Sequence, residues 1–322
     1  MMQRDDILNR LLEALEKKIP EKSKLVDTLM EILYMEKGAI NRRLRGDVPF
    51  SFYEVANIAD KLELSIVNLN DAKTKWVDSF ALDTTGVDFK KWHEYIALVN
   101  LAKKDPLSEF ASSTNHVPGS IYAKYESLYK FFIYKYVYLI GGTENRTSFK
   151  EFIISEELKN IYRSYYHESK FFAKNIFICD HAMVDNLITD LRYFSGINLL
   201  SGDDMQQIKE ELFAFLNYFE EIAVNGCFDE TGTQVDIYIS DVNLDSNYNY
   251  MKINDICISL VRTFNINAVM GRDKTSYERI KNWIQSLKRT STLISRSAAV
   301  FRAEFFEKQR ALISGLNTEN SR

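Results

Sequence analysis

Residues that break regular structure are scarce in this chain. Only four prolines and twelve glycines punctuate 322 residues, against 18 tyrosines and 21 phenylalanines. Proline removes a backbone donor and glycine costs backbone entropy, so both interrupt helices and strands. Their scarcity beside so many large apolar residues predicts a helix-rich fold with a real core. The length points to about two domains. An apolar share of 46% and a charged share of 27% are ordinary for soluble globular protein. The three cysteines, Cys179, Cys227 and Cys257, show no close pairing and no Cys-x-x-Cys spacing. That argues against a disulfide framework and fits a reducing cytoplasm. Arg4, Asp5, Asp6 and Arg10 stand where a signal peptide would need an apolar run. The most apolar stretch, "LYKFFIYKYVYLIGG", is broken by Lys130 and Lys135 and falls short of the roughly 20 residues of a membrane span. It reads as a buried aromatic helix or strand, so no membrane contact is expected.

The first 71 residues spell out a series of short helices. Ile7, Leu8, Leu11, Leu12 and Leu15 give one helical stripe, and Pro20 ends it. Ser23 is placed to cap a second helix with an apolar face of Leu25, Leu29, Ile32 and Leu33. "MEKGA" follows as a tight corner, and a third helix runs to about Arg45, with Gly46 just past its end. Ser51 and Glu54 form a capping box for a fourth helix, and Phe50 and Val55 occupy the positions of a hydrophobic staple. Val55, Ile58, Ala59 and Leu62 supply the buried stripe, and a short fifth helix near Ser65 to Leu69 closes the module. Such an order, with a tight turn between the second and third helices, describes a helix-turn-helix unit.

Four cations fall in nine positions of the third helix: Lys37, Arg42, Arg43 and Arg45. At about 100° per residue, Ile40 and Leu44 fall together and must face the core. The opposite side carries Gly38, Arg42 and Arg45, flanked by Lys37 and Asn41 at one edge and Arg43 at the other. An α-helix of this kind suits the major groove of DNA, where Arg pairs with guanine and Asn with adenine. The simpler reading of a cationic run is a solvated face, and residues 1–71 hold slightly more acids than bases. The local field outweighs net charge, however, because exposed charges more than roughly 8 Å apart are screened.

The segment from about residue 5 to 70 resembles the Cro/C1-type (phage repressor-like) helix-turn-helix domain, and most closely its BetR version. The resemblance is carried by Leu29, Leu33, Met35 and Ile40, by "RRLRG" from Arg42 to Gly46, and by the "SFYEVANIADKLELSIVNL" tail. It implies a lambda-repressor-like bundle of five helices. It also implies base reading by Lys37, Gly38, Asn41 and Arg42, with Arg43 and Arg45 on phosphates. The sequence departs from the pattern at Gly38, which offers no side chain, and at Leu25 and Val26, where phage repressors carry polar residues. Lys24 is a substitute for that phosphate contact, and part of the specificity would then rest on DNA shape.

Residues 72–90 lose periodicity and read as a linker. Residues 91–322 carry no motif of known chemistry. Their first part shows helical spacing in "PGSIYAKYESLYKFFIYKYVY", with Ser120 as a cap, in "SFKEFIISEELKNIYRSYYHESKFFAK" and in "DDMQQIKEELFAFLNYFEEIAV". "TQVDIYISDV", "SNYNYMKIND" and "ICISLVRTFNI" read as strands of a small antiparallel sheet near residues 234–270. Thr275 and Glu278 form a capping box ahead of Ile280, Trp283, Ile284 and Leu287, and a last stripe holds Val300, Phe301, Phe305, Leu312 and Ile313. Among His93, His116, His167 and His181, only His181 has a cysteine close by, Cys179, and no further ligands are spaced to join them at a metal. No glycine-rich phosphate loop occurs. The paired acids Glu156-Glu157 and Glu220-Glu221 read as helix surface. The aromatic clusters read first as core, with a ligand pocket as the sharper alternative. The lysines and arginines from Lys274 to Arg310 read as solvated.

The expectation is a mainly α protein: an N-terminal helix-turn-helix domain over 1–71, a linker over 72–90, and a larger α-rich α+β domain over 91–322 with a small antiparallel sheet. The expected function is a cytoplasmic transcriptional regulator that binds double-stranded DNA as a homodimer. The C-terminal domain would serve dimerisation or the sensing of a small-molecule or protein effector. No catalytic residue, metal or cofactor is expected. The alternative is a protein–protein adaptor that keeps the fold without DNA binding. An enzyme in the C-terminal domain would require a pocket holding His181 or His167 beside a carboxylate.

Overall fold

The computed structural model describes residues 11–62 except 17, and residues 77–316 except 81, 84–85, 88, 142–146 and 264–266. The chain divides into two compact units, Met1–Lys75 and Trp76–Arg322.

In the first unit, α1 covers residues 11–16, α2 Lys22–Leu33, α3 Lys37–Leu44 and α4 Phe52–Lys61. Leu11, Leu15, Leu25, Val26, Leu29, Ile40 and Ile58 are buried together at its centre. Leu33, Met35, Leu44, Phe50, Val55 and Leu62 pack around them. The capping box forms: the Ser51 amide donates to the Glu54 carboxylate at 2.7 Å, and the Glu54 amide donates to Ser51 Oγ at 3.2 Å. Ser23 does not cap α2. The cap position is Glu21, and Ser23 Oγ donates to its carboxylate at 3.0 Å. Ile7, Leu8 and the expected fifth helix lie outside the described residues.

The second unit corrects the expected fold class. Its centre is a mixed eight-stranded sheet, not a small antiparallel one, and the chain is α+β rather than mainly α. The strands are β1 (Val77–Phe80), β4 (Glu109–Thr114), β5 (Lys174–Asp180), β6 (Gln234–Ser240), β7 (Asn247–Ile253), β8 (Ile256–Thr263), β9 (Asn267–Gly271) and β10 (Ser291–Leu293). Their order is β1-β9-β8-β7-β4-β5-β6-β10. A separate two-stranded pair joins β2 (Leu82–Asp83) to β3 (Gly86–Val87). Residues expected as linker thus hold three short strands, and β1 joins the main sheet through β9. The β4–β5 and β5–β6 pairs are parallel. Parallel neighbours need long crossovers, and here helices supply them. Helices α6 (Gly119–Tyr122), α7 (Glu126–Gly141) and α8 (Glu156–Glu168) lead from β4 to β5, and α9 (Met183–Gly196) and α10 (Gly202–Asn225) lead from β5 to β6. Helix α5 (Phe89–Asn100) precedes β4, and α11 (Lys274–Leu287) and α12 (Ala299–Ser314) flank β10.

The sheet is buried on both faces. Along β5, Phe177 and Cys179 join the large core, whereas Ile176 and Ile178 join a second cluster with Tyr250, Tyr277 and Ile284. A strand covered on both sides reads as an unbroken apolar run, so it lacks the alternation that marks a half-buried strand. The polar run Ser112, Ser113 and Thr114 of β4 is buried too and gives no apolar signal. That is why β4 and β5 escape a reading by periodicity. β6, β7 and β8 lie where strands are expected, but β6 pairs with β5 and β10 instead of β7. Helix caps also differ: Pro118 precedes α6 in place of Ser120, and Asp273, not Thr275, caps α11 by accepting from the Ser276 amide at 2.8 Å. The aromatic run of α7 is core. Phe131, Phe132 and Tyr134 are buried, and Tyr129 stacks on Tyr162 with ring centres 4.5 Å apart.

Gly226 ends α10 at φ +66, and a Cβ there would overlap the Arg296 side chain. Gly226→Ala is expected to lower the hydrogen-exchange stability of α10 by about 1–2 kcal/mol, the cost of a left-handed L-residue. An unchanged exchange rate would contradict that.

Candidate nucleic-acid interface

The turn into α3 is made by Tyr34, which takes a left-handed φ of 53° and donates its backbone N–H to the Met30 carbonyl. Tyr34 is 95% exposed. Glycine is the usual low-cost residue at such a corner, so the sequence carried no signal for this conformation. On α3, Ile40 is fully buried and Leu44 packs on the same core, as the helical spacing requires. The far end of α3 is closed by the Gly46 and Asp47 amides, which donate to the Arg43 and Arg42 carbonyls. Gly46 sits at φ +79, the left-handed residue expected past the helix end.

The cations divide into three kinds. Arg43 turns back toward α4: Nε and Nη2 donate to the two Glu54 carboxylate oxygens at 3.2 and 2.8 Å. Both side chains are largely buried, so the fork–fork pair is a structural tie between α3 and α4. Arg43 was expected at a phosphate, and the structure engages it inward instead. Arg45 and Lys24 form water-exposed pairs, Arg45 with Asp47 at 2.8 Å and Lys24 with Glu21 at 2.6 Å. Exposed pairs contribute little and are readily exchanged, so both cations are available to a competing anion. Lys37 and Arg42 are exposed, Asn41 is half-exposed, and among the described residues their side chains make no hydrogen bond or ion pair. Gly38 is exposed, lies outside the left-handed region, and a Cβ there would meet open space. Neither backbone conformation nor crowding within the unit requires a glycine at this position.

Burial alone would raise the Glu54 carboxyl. The Arg43 guanidinium and the Ser51 amide and hydroxyl outweigh it and hold the group below its ordinary 4.5. A depressed carboxyl stabilises the fold above its unfolded pKa, and the contribution drains away as pH falls through the folded value.

In the second unit the expected absence of catalytic groupings meets a mixed picture. His93 and His167 are exposed beside Glu157 and Glu168. His116 is half-buried, and desolvation with the Lys135 ammonium pushes it down to about 4, so it is neutral near pH 7. Burial pushes the Cys179 thiol well up. Among the described residues no group of three His, Cys, Asp or Glu side chains is placed to hold a metal. No described helix is long and apolar enough to cross a membrane. Arg262 lies among Tyr95, Tyr122, Tyr162 and Tyr165, and Gly119 leaves it room, since a side chain there would collide with the guanidinium. His181 lines a cavity described below. Set against known protein families, curated proteins and solved structures, the chain matches none.

Arg43→Met leaves a nearly buried carboxylate unpaired. It is expected to lower the hydrogen-exchange stability of α4 by about 1–3 kcal/mol near pH 7, while Arg42→Ala stays within roughly 0.5 kcal/mol of the parent. The gap between parent and Arg43→Met should close as pH falls from 4.5 through the lower folded-state value of Glu54. Equal losses for the two variants would show that Arg43 is not the structural one.

Proposed function

We propose that the chain is a transcriptional regulator whose α3 enters the major groove of duplex DNA. The observation that carries this reading is the division of the cations on α3. One arginine is consumed by the fold, and the remaining polar side chains of the helix face outward without partners in the unit. Arg42 and Asn41 are the base readers in this proposal, being the two types that pair bidentately with guanine and adenine. Lys37 stands at the helix start beside them. Arg45 and Lys24 exchange their exposed acids for phosphates, which fix register without reading sequence. Glycine costs about 1 kcal/mol relative to alanine inside a helix. We attribute Gly38 to the close approach of the α3 backbone to the DNA. The regulator acts in the cytoplasm as a homodimer on a two-fold site, since one such module spans a single half-site. The second unit supplies dimerisation or sensing.

Binding of a fluorescent mixed-sequence duplex, followed by anisotropy from about 50 to 200 mM salt, tests the proposal. Lys24→Ala and Arg45→Ala are each expected to weaken binding and to reduce the salt slope by about one. Gly38→Ala should stabilise α3 by up to about 1 kcal/mol yet bind DNA more weakly. A protein–protein adaptor built on the same fold predicts no change in any of the three. That outcome would sink the regulator and leave the adaptor.

A further inference from the structure

Parallel strands β5 and β6 end side by side at Asp180 and Ser240, and open α/β sheets take their ligands outside the carboxyl ends of such strands. A cavity of about 350 Å³ lies there, between the strand ends and α12. That volume is within the range of small-molecule sites. Ile239, Phe301 and Phe305 make its apolar side. His181, Asp241, Glu304, Lys308 and Gln309 supply the polar groups.

Part of the site's frame is held by groups outside its lining. Asp180 is buried and accepts from the Ala182 amide at 2.8 Å and the Leu244 amide at 2.6 Å, which fixes the loop carrying Asp241 against the end of β5. The loop before α12 places two non-glycine residues, Arg296 and Ala298, at positive φ. Arg302 ties that loop by donating to the Ile294 and Ser297 carbonyls. Backbone held in sparsely populated conformations persists where surrounding structure over-determines it.

The polar groups are biased toward accepting. His181 Nδ1 lies 3.2 Å from the Ser240 carbonyl oxygen. A carbonyl can only accept, so Nδ1 carries a proton and donates to it, with an Asp180 carboxylate oxygen 3.6 Å away. Gln309 is completely buried and its Nε2 donates to the His181 carbonyl at 3.3 Å, which fixes the amide's orientation. Its Oε1 accepts no hydrogen bond from the described residues, and buried polar atoms are seldom left so. Asp241 and Glu304 add two carboxylates, and among the described residues neither is in an ion pair. Lys308 is the one cation among the residues that line the cavity. Two nearby arginines of α12 are engaged elsewhere: Arg302 on the loop carbonyls and Arg310 on Glu220. The neighbouring thiol and hydroxyl are both engaged. The Cys179 thiol is fully buried in the large core, and Ser240 Oγ donates to the Val242 carbonyl at 2.7 Å.

From this geometry we propose that the cavity binds a small organic cation, an ammonium carried on an apolar ring-bearing body. The ammonium meets Asp241 and Glu304, and the ring lies on Phe301, Phe305 and Ile239. The proposal concerns the second unit alone and stands whether or not the first unit binds DNA.

Isothermal titration of the full chain with phenethylamine, and separately with 3-phenylpropionate, tests it. Phenethylamine should saturate near 1 mM or below, which is about 4 kcal/mol of binding, and 3-phenylpropionate should not saturate. The double variant Asp241→Asn/Glu304→Gln should bind the amine roughly tenfold more weakly, with an unchanged thermal melt. Phe305→Ala, checked for folding by the same melt, should also weaken it. Absence of saturation by the amine up to about 20 mM would overturn the proposal. So would equal or tighter binding of the carboxylate, or undiminished amine binding by the folded double variant.

Discussion

The Glu54 carboxylate accepts from three donors: Nε and Nη2 of Arg43, and the Ser51 backbone amide. A carboxylate so engaged does two mechanical jobs. It caps α4 and it locks the rotation of α3 against α4. With Ile40 and Leu44 already facing the core, this second constraint leaves α3 a single orientation. Lys37, Asn41 and Arg42 are then presented outward together, without any contact within the unit that asks for them. A run of four cations thus separates into one structural arginine, Arg43, one exposed pair, Arg45 with Asp47, and two cations, Lys37 and Arg42, without a partner among the described residues. The chain's net charge of −4 says nothing about that separation.

Much of the first unit was legible because its signals are local. Ser51 and Glu54 are three residues apart, and Ile40 and Leu44 are four, so spacing alone places them. The pairing of Arg43 with Glu54 was not legible because the two lie eleven positions apart, beyond any helical repeat. Tyr34 was invisible for a different reason. A left-handed corner is announced by glycine or asparagine, and tyrosine announces nothing.

In the second unit the failure was systematic rather than local. β4 and β5 are both covered on two faces, and such strands carry no alternation. The strands that were legible, β6, β7 and β8, were paired by sequence proximity. That pairing holds for β7 with β8, whereas β6 lies between β5 and β10, reached by crossovers of dozens of residues that periodicity cannot rank. The cavity at the strand ends was out of reach for the same reason. His181, Asp241 and Phe305 come from three separated stretches, and only the parallel register of β5 with β6 brings the first two together.

The account of the first unit rests on α3 reading bases, and selection of bound fragments from a random duplex pool at about 150 mM salt addresses that most directly. The parent chain is expected to enrich one sequence. With Arg42→Ala, preference is expected to be lost at one position while the rest of the sequence persists. A parent chain that enriches no sequence, or an Arg42→Ala chain that enriches the same one at every position, would contradict base reading by α3.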